Sequence, residues 1–154
     1  VAHGATLLAA CLVGLLTGAM LLIAVSLAPY WVSLEPPEIS ASFAATAPWI
    51  GRLMVPLGVG ATLSTVIAAS LGVGGQRAEW PRLVGAAALM VFVAAIYPLY
   101  YTAANAALAS GGGTPAEIGA ELARWRLWHW LRLAAGLLAF LALLRACVLQ
   151  GGAA

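Results

Sequence analysis

Arg124-Trp125-Arg126-Leu127-Trp128-His129-Trp130-Leu131-Arg132 runs without a break into Leu133-Ala134-Ala135-Gly136-Leu137-Leu138-Ala139-Phe140-Leu141-Ala142-Leu143-Leu144. The second part has no polar side chain, and with its neighbours it reaches the roughly 20 residues that cross a bilayer core. The first part holds three of the seven arginines, three of the six tryptophans and one of the two histidines. A charged, aromatic patch is therefore built into one end of a membrane helix, and the rest of the chain reads as scaffold around it.

Composition extends that reading. Of 154 residues, 64% are hydrophobic and 8% charged, with mean hydropathy +1.01; a soluble domain carries about 25% charged residues. Apolar runs near residues 5–28, 52–73, 83–102 and 123–148 nearly exhaust the chain. The expectation is an all-α protein, a four-helix transmembrane bundle with antiparallel up-down topology. Residues 1–154 form a single integral membrane domain, with two longer loops, 31–51 and 106–116, on the side opposite the termini. The first run lacks a basic leader and outlasts a signal-peptide core, so it reads as a permanent span. The short basic turn at 74–82, with Arg77 and Arg82, places both termini in the cytoplasm of a bacterial inner membrane. A net charge of +2 gives no reason to expect nucleic acid.

Local signals mark the helix ends. Pro29 closes the first span, with Tyr30 and Trp31 at the interface. Glu35-Pro36-Pro37-Glu38 stiffens the first loop, where Phe43, Trp49 and Ile50 are apolar enough to dip into the interface. Gly14 with Gly18, and Gly58 with Gly60, offer close helix approach. Ser64 and Thr65 should bond to backbone. Pro98 should kink the third span. Thr114-Pro115-Ala116-Glu117 is a helix start with a capping box.

On a wheel turning about 100° per residue, Trp125, Arg126, His129, Arg132 and Gly136 share one face, while Arg124 points elsewhere. The antiparallel order brings Tyr97, Tyr100, Tyr101 and Asn105 to the same end. Arg132 is the most demanding residue. An arginine deep in a span costs about 2.5–3.5 kcal/mol on insertion scales, so it needs a partner, an interface or a bound anion; Glu35, Glu38, Glu117 and Glu121 are the available carboxylates. The unperturbed pKa of a histidine side chain suits His129 to a general-base role; the other reading is a histidine bonded for packing. One histidine with no aspartate makes a poor metal site, so no metal is expected; a haem on His129 is the minor alternative. Cys11 and Cys147 are too few for a disulfide framework and read as small packing residues. No phosphate loop, dinucleotide fingerprint or serine elbow is present, and the inverted repeats of a transporter are absent.

Three stretches carry a family likeness: Gly14-Leu15-Leu16-Thr17-Gly18-Ala19-Met20 running to Ala28-Pro29; Asn105-Ala106-Ala107-Leu108; and Arg124 to Arg132, which looks like a W-x(2–3)-H-x-x-R signature opening a last span. With the span pattern, the chain resembles the anthrone-oxygenase-like family of small four-span membrane proteins. The family pattern carries proline two residues before the asparagine, where this chain has Ala103. The resemblance implies cofactor-independent oxidation of a phenolic tricycle by O2. His129 would be the base, Arg132 or Arg126 would stabilise the anion, and Trp125, Trp128, Tyr97, Tyr101 and Asn105 would bind substrate. The other readings are a non-catalytic accessory subunit of a larger respiratory or photosynthetic membrane complex, and a haem- or quinone-binding bundle. Expected partners are membrane lipid, a small hydrophobic aromatic ligand, and a larger complex or a second copy.

Overall fold

The computed structural model describes residues 1–72 and 79–151. Four long helices make up nearly all of it: α1 (Ala2–Val32), α2 (Pro36–Leu71), α3 (Trp80–Ser110) and α4 (Pro115–Gly151). Each is long and apolar enough to cross a membrane, so the coarse expectation of an all-α membrane bundle holds. α1 packs on α2 and α4, and α3 packs on the same two, which leaves α1 and α3 across the diagonal of a square. The outer surface is leucine-rich, with Leu15, Leu63, Leu138 and Leu141 exposed, as a lipid-facing bundle requires. Arg77, assigned above to the basic turn, lies outside the described residues.

The expected loops are largely helix. Chain 31–51 contains only a short connection at 33–35, and chain 106–116 only one at 111–114. Pro36 and Pro37 do not deny helix, because they occupy its first turn, where backbone N–H groups have no intrahelical partner. Glu38 reaches back to accept from the Glu35 N–H at 3.2 Å, which closes that start. Pro29 does not end α1, which continues to Val32. At α4 the anticipated capping box forms: the Thr114 N–H donates to Glu117 Oε2 at 2.7 Å, and the Glu117 N–H to Thr114 Oγ1 at 3.3 Å. The helices run 31 to 37 residues, roughly 46–56 Å at 1.5 Å per residue, so they overreach a hydrocarbon core of about 30 Å.

Two kinds of core fill the bundle. Toward the termini, Ala9, Ala10, Ala61, Ala68, Ala86, Ala139 and Ala146 bring the backbones close. Thr17 and Thr65 donate to their own helix at Val13 O and Ala61 O, both at 2.7 Å, so their hydroxyls bury without penalty. At the other end Trp31, Phe43, Tyr101 and Trp125 form an aromatic cluster.

Both diagonal helices are irregular where the two cores meet. α1 contains a π-turn at Ile23–Leu27 and α3 one at Tyr97–Tyr101. In α3 the cause is Pro98, which has no N–H for the carbonyl one turn earlier; Ala94 O takes the Tyr97 N–H, and the Thr102 N–H reaches five residues back to Tyr97 O. Such wide turns gather at functional sites. α2 carries Pro48 and Pro56 within its length and stays α-helical through both.

Candidate active site in the bundle

Where the cores meet, a cavity of about 390 Å³ opens among all four helices, within the roughly 300–1,000 Å³ usual for small-molecule sites. Ala47, Gly51, Met54, Gly58 and Thr62 of α2 line it at helical spacing. A Cβ added at Gly51 or Gly58 would meet nothing within 4 Å. These glycines hold space open and bring no helix closer, which corrects the packing role expected of Gly58. A Cβ added at Gly60 would make only ordinary contact with Leu12, at 3.8 Å. Facing α2 across the opening are Ala94, Tyr97 and Pro98, exposed like Val55 and Val59 opposite them. The cavity therefore opens sideways between α2 and α3, toward lipid.

His129 sits in the cavity wall, 3% exposed. Its Nε2–H donates to the Met20 carbonyl at 2.8 Å. A carbonyl only accepts, so in the neutral ring the proton is on Nε2 and Nδ1 keeps a lone pair. Met20 lies just before the π-turn of α1, and its carbonyl also takes the Ile23 N–H. Trp125 stacks on the imidazole, with centroids 4.9 Å apart and planes 7° apart. Trp125 is in turn fixed through its Nε1–H, which donates to Asn105 Oδ1 at 2.9 Å, and through its carbonyl, which accepts from the Tyr101 hydroxyl at 3.3 Å. Gly136 is what lets α1 come this near: a Cβ there would lie 2.9 Å from Met20 Cε and 3.0 Å from Thr17 Oγ1. Gly14 receives the Phe140 ring, while a Cβ added at Gly18 would meet nothing within 4 Å, so the expected glycine pair does not act as one.

Arg132 lines the same cavity, its Cζ 4.6 Å from the centre of the Tyr101 ring. Among the described residues no carboxylate pairs with it. Glu121 is engaged with Arg124 at 3.0 Å and with the Tyr100 hydroxyl at 2.8 Å. Glu117 and Glu38 are spent on helix starts. Arg52 lies over Trp49 at 4.5 Å.

The cavity thus brings together His129, Arg132, Trp125, Tyr97, Tyr101 and Asn105. It leaves out two residues expected with them. Arg126 turns to a separate small cleft beside Val32, Ile39 and Leu122. On the wheel it lies about 120° from Arg132, so one cavity on the Arg132 side of His129 excludes it. Trp128 pairs with Tyr100, centroids 5.7 Å apart. Trp31 and Phe43, read as interfacial, are instead buried in the cavity wall at 1% exposure each. Their rings lie 4.8 Å apart, and Trp31 meets Trp125 edge-on at 5.6 Å.

Three buried polar atoms in this wall have no hydrogen-bond partner: His129 Nδ1, Arg132 Nε and Trp31 Nε1. Leaving such a group unpaired costs about 1–3 kcal/mol, and all three belong to residues that line the same cavity. No protein-family model matches the chain, and no curated protein or solved structure is significantly similar to it.

Proposed function

We propose that the cavity binds a planar, oxygen-bearing aromatic that enters from the lipid, and that the protein oxidises it with O2 as the anthrone-oxygenase resemblance implies. The observation that carries this reading is the pairing of an unprotonated His129 Nδ1 with an Arg132 that has no carboxylate, both in one apolar wall. Such a pair takes a proton from an acidic O–H or C–H and holds the resulting anion. The ring of Trp125 and those beside it offer flat, apolar contact.

The chemistry follows from the anion. Removal of a proton from an anthrone leaves an electron-rich enolate, its oxygen held by Arg132. The enolate gives one electron to O2, and the superoxide formed couples to the ring carbon opposite the oxygen. The hydroperoxide loses water and leaves a second carbonyl. One O2 is consumed: one oxygen atom enters the quinone and the other leaves as water with the two hydrogens of the original CH2. His129 carries the proton between the first and last steps.

Arg82, in the first turn of α3 on the side of the termini, supports cytoplasmic termini, which would put the site toward the opposite leaflet. The test is an oxygen-electrode assay of the purified protein in mild detergent with anthrone. One O2 per quinone, lost in His129→Ala, is the expected result. The absence of both binding and oxygen uptake would overturn the reading. Stoichiometric co-purification with larger subunits, or a Soret band, would replace it with the accessory-subunit or haem reading.

A further inference from the structure

The proposed chemistry uses two of the three unpaired polar atoms in the cavity wall and leaves the Trp31 indole N–H without a role. Trp31 is among the largest fully buried side chains, yet its Nε1 donor meets no acceptor. An indole buried only for packing is favoured where its N–H finds a partner; a phenylalanine would supply the same ring without an orphan donor. Phe43, 4.8 Å away, is such a ring. Trp125 stands between Trp31 and His129, edge-on to one and stacked on the other. Trp31 and His129 thus stand on either side of Trp125, and all three line the one cavity.

We infer that the cavity selects aromatics carrying two oxygens: His129 and Arg132 hold the first, and the Trp31 N–H donates to the second on the far edge. This rests on the reading above that an oxygenated aromatic occupies the cavity. Trp31 is a positioning residue here: it sets which ring edge faces His129 and takes no part in proton transfer. A ligand with one oxygen leaves the indole donor buried and unpaired; a ligand with two satisfies it, and the difference in binding is the selectivity.

The experiment compares 1-naphthol with 1,5-dihydroxynaphthalene by titration calorimetry of the full chain in detergent, in the wild type and in Trp31→Phe. One buried hydrogen bond makes the diol about tenfold tighter in the wild type. Trp31→Phe should bind both with the monol's unchanged affinity. If the variant keeps the diol preference, or weakens both ligands alike, the role assigned to Trp31 is overturned. If the wild type binds neither naphthol, the aromatic reading itself falls, a failure distinct from loss of the diol increment. Should Trp31→Phe not fold, the indole 15N–1H signals of the wild type decide. One signal shifting with the diol and not the monol supports the inference; no such signal refutes it.

Discussion

Gly58→Leu should make the protein more stable and its site less useful. Gly58 faces the cavity from the middle of the α2 stripe, and the position of a new Cβ is free of other atoms to 4 Å. Leucine therefore enters space already present. Replacing glycine in a helix interior removes a penalty of about 0.8 kcal/mol. New contacts with the cavity wall add about 0.1–0.2 kcal/mol per atom pair, and in lipid no hydrophobic transfer term competes with them. For a chain of this size, about 1 kcal/mol raises Tm by roughly 2–4 °C. The same side chain crowds the ligand. Overpacking by a few methylenes costs about 1–3 kcal/mol, or about 5- to 150-fold in affinity. Thermal melting in detergent and calorimetric titration of 1-naphthol read the two effects separately. A lower Tm would mean that the α2 face is not open. An unchanged affinity beside a raised Tm would mean that the ligand binds elsewhere, and the cavity would lose its claim to be the site.

Further outcomes follow from the same geometry. His129→Ala should lower anthrone-dependent O2 uptake by about 10²- to 10⁴-fold with naphthol binding weakened far less, measured by oxygen electrode and calorimetry; comparable losses in both would make the histidine a binding residue only. Gly136→Val should destabilise by about 1–3 kcal/mol, read as a fall in Tm, because its branches meet Thr17 and Met20 across the α1–α4 contact; an unchanged melt would show that the contact yields freely.

The fold was legible because apolar runs of spanning length leave few alternatives, and the Thr114–Glu117 helix start because a capping box is a local device. The loop at 31–51 was misread for the opposite reason. Two adjacent prolines break a helix interior but fit its first turn, and only the position of the start separates the cases. The α4 face was legible from helical spacing: Trp125, His129 and Arg132 line one cavity, and Gly136 admits α1 beside them. Arg126 shows the limit of that argument, since a wheel gives a direction but not the width of what lies there. Trp31 was hidden because an aromatic after a proline near a span end looks like an interface anchor. The stripe Ala47, Gly51, Met54, Gly58, Thr62 was in principle visible as small residues at helical spacing. Nothing local, however, distinguishes a glycine that admits another helix from one that holds a cavity. The Met20 carbonyl could not be foreseen, because its availability to His129 depends on how a π-turn in α1 is placed against α4.

Arg132 separates a structural account of this wall from a functional one. If its charge held the bundle together, Arg132→Leu would destabilise, since removing one partner of a buried pair costs about 3–5 kcal/mol. Among the described residues it has no such partner: the guanidinium rests on the Tyr101 ring, and Nε is unpaired. The cation–π contact returns about 0.5–2 kcal/mol against an insertion cost of about 2.5–3.5 kcal/mol. Arg132→Leu should therefore leave the empty protein about 1 kcal/mol more stable. It should also abolish the stabilisation that a bound naphtholate gives the wild type, which by mass action is about 2.7 kcal/mol at 100 times Kd. Melts with and without ligand test both halves. A fall in the unliganded Tm would show that the arginine serves the fold, and the anion-holding role would have to be abandoned. A rise, with ligand stabilisation lost, is the signature of a charge kept at a cost to the fold because the occupant of the cavity needs it.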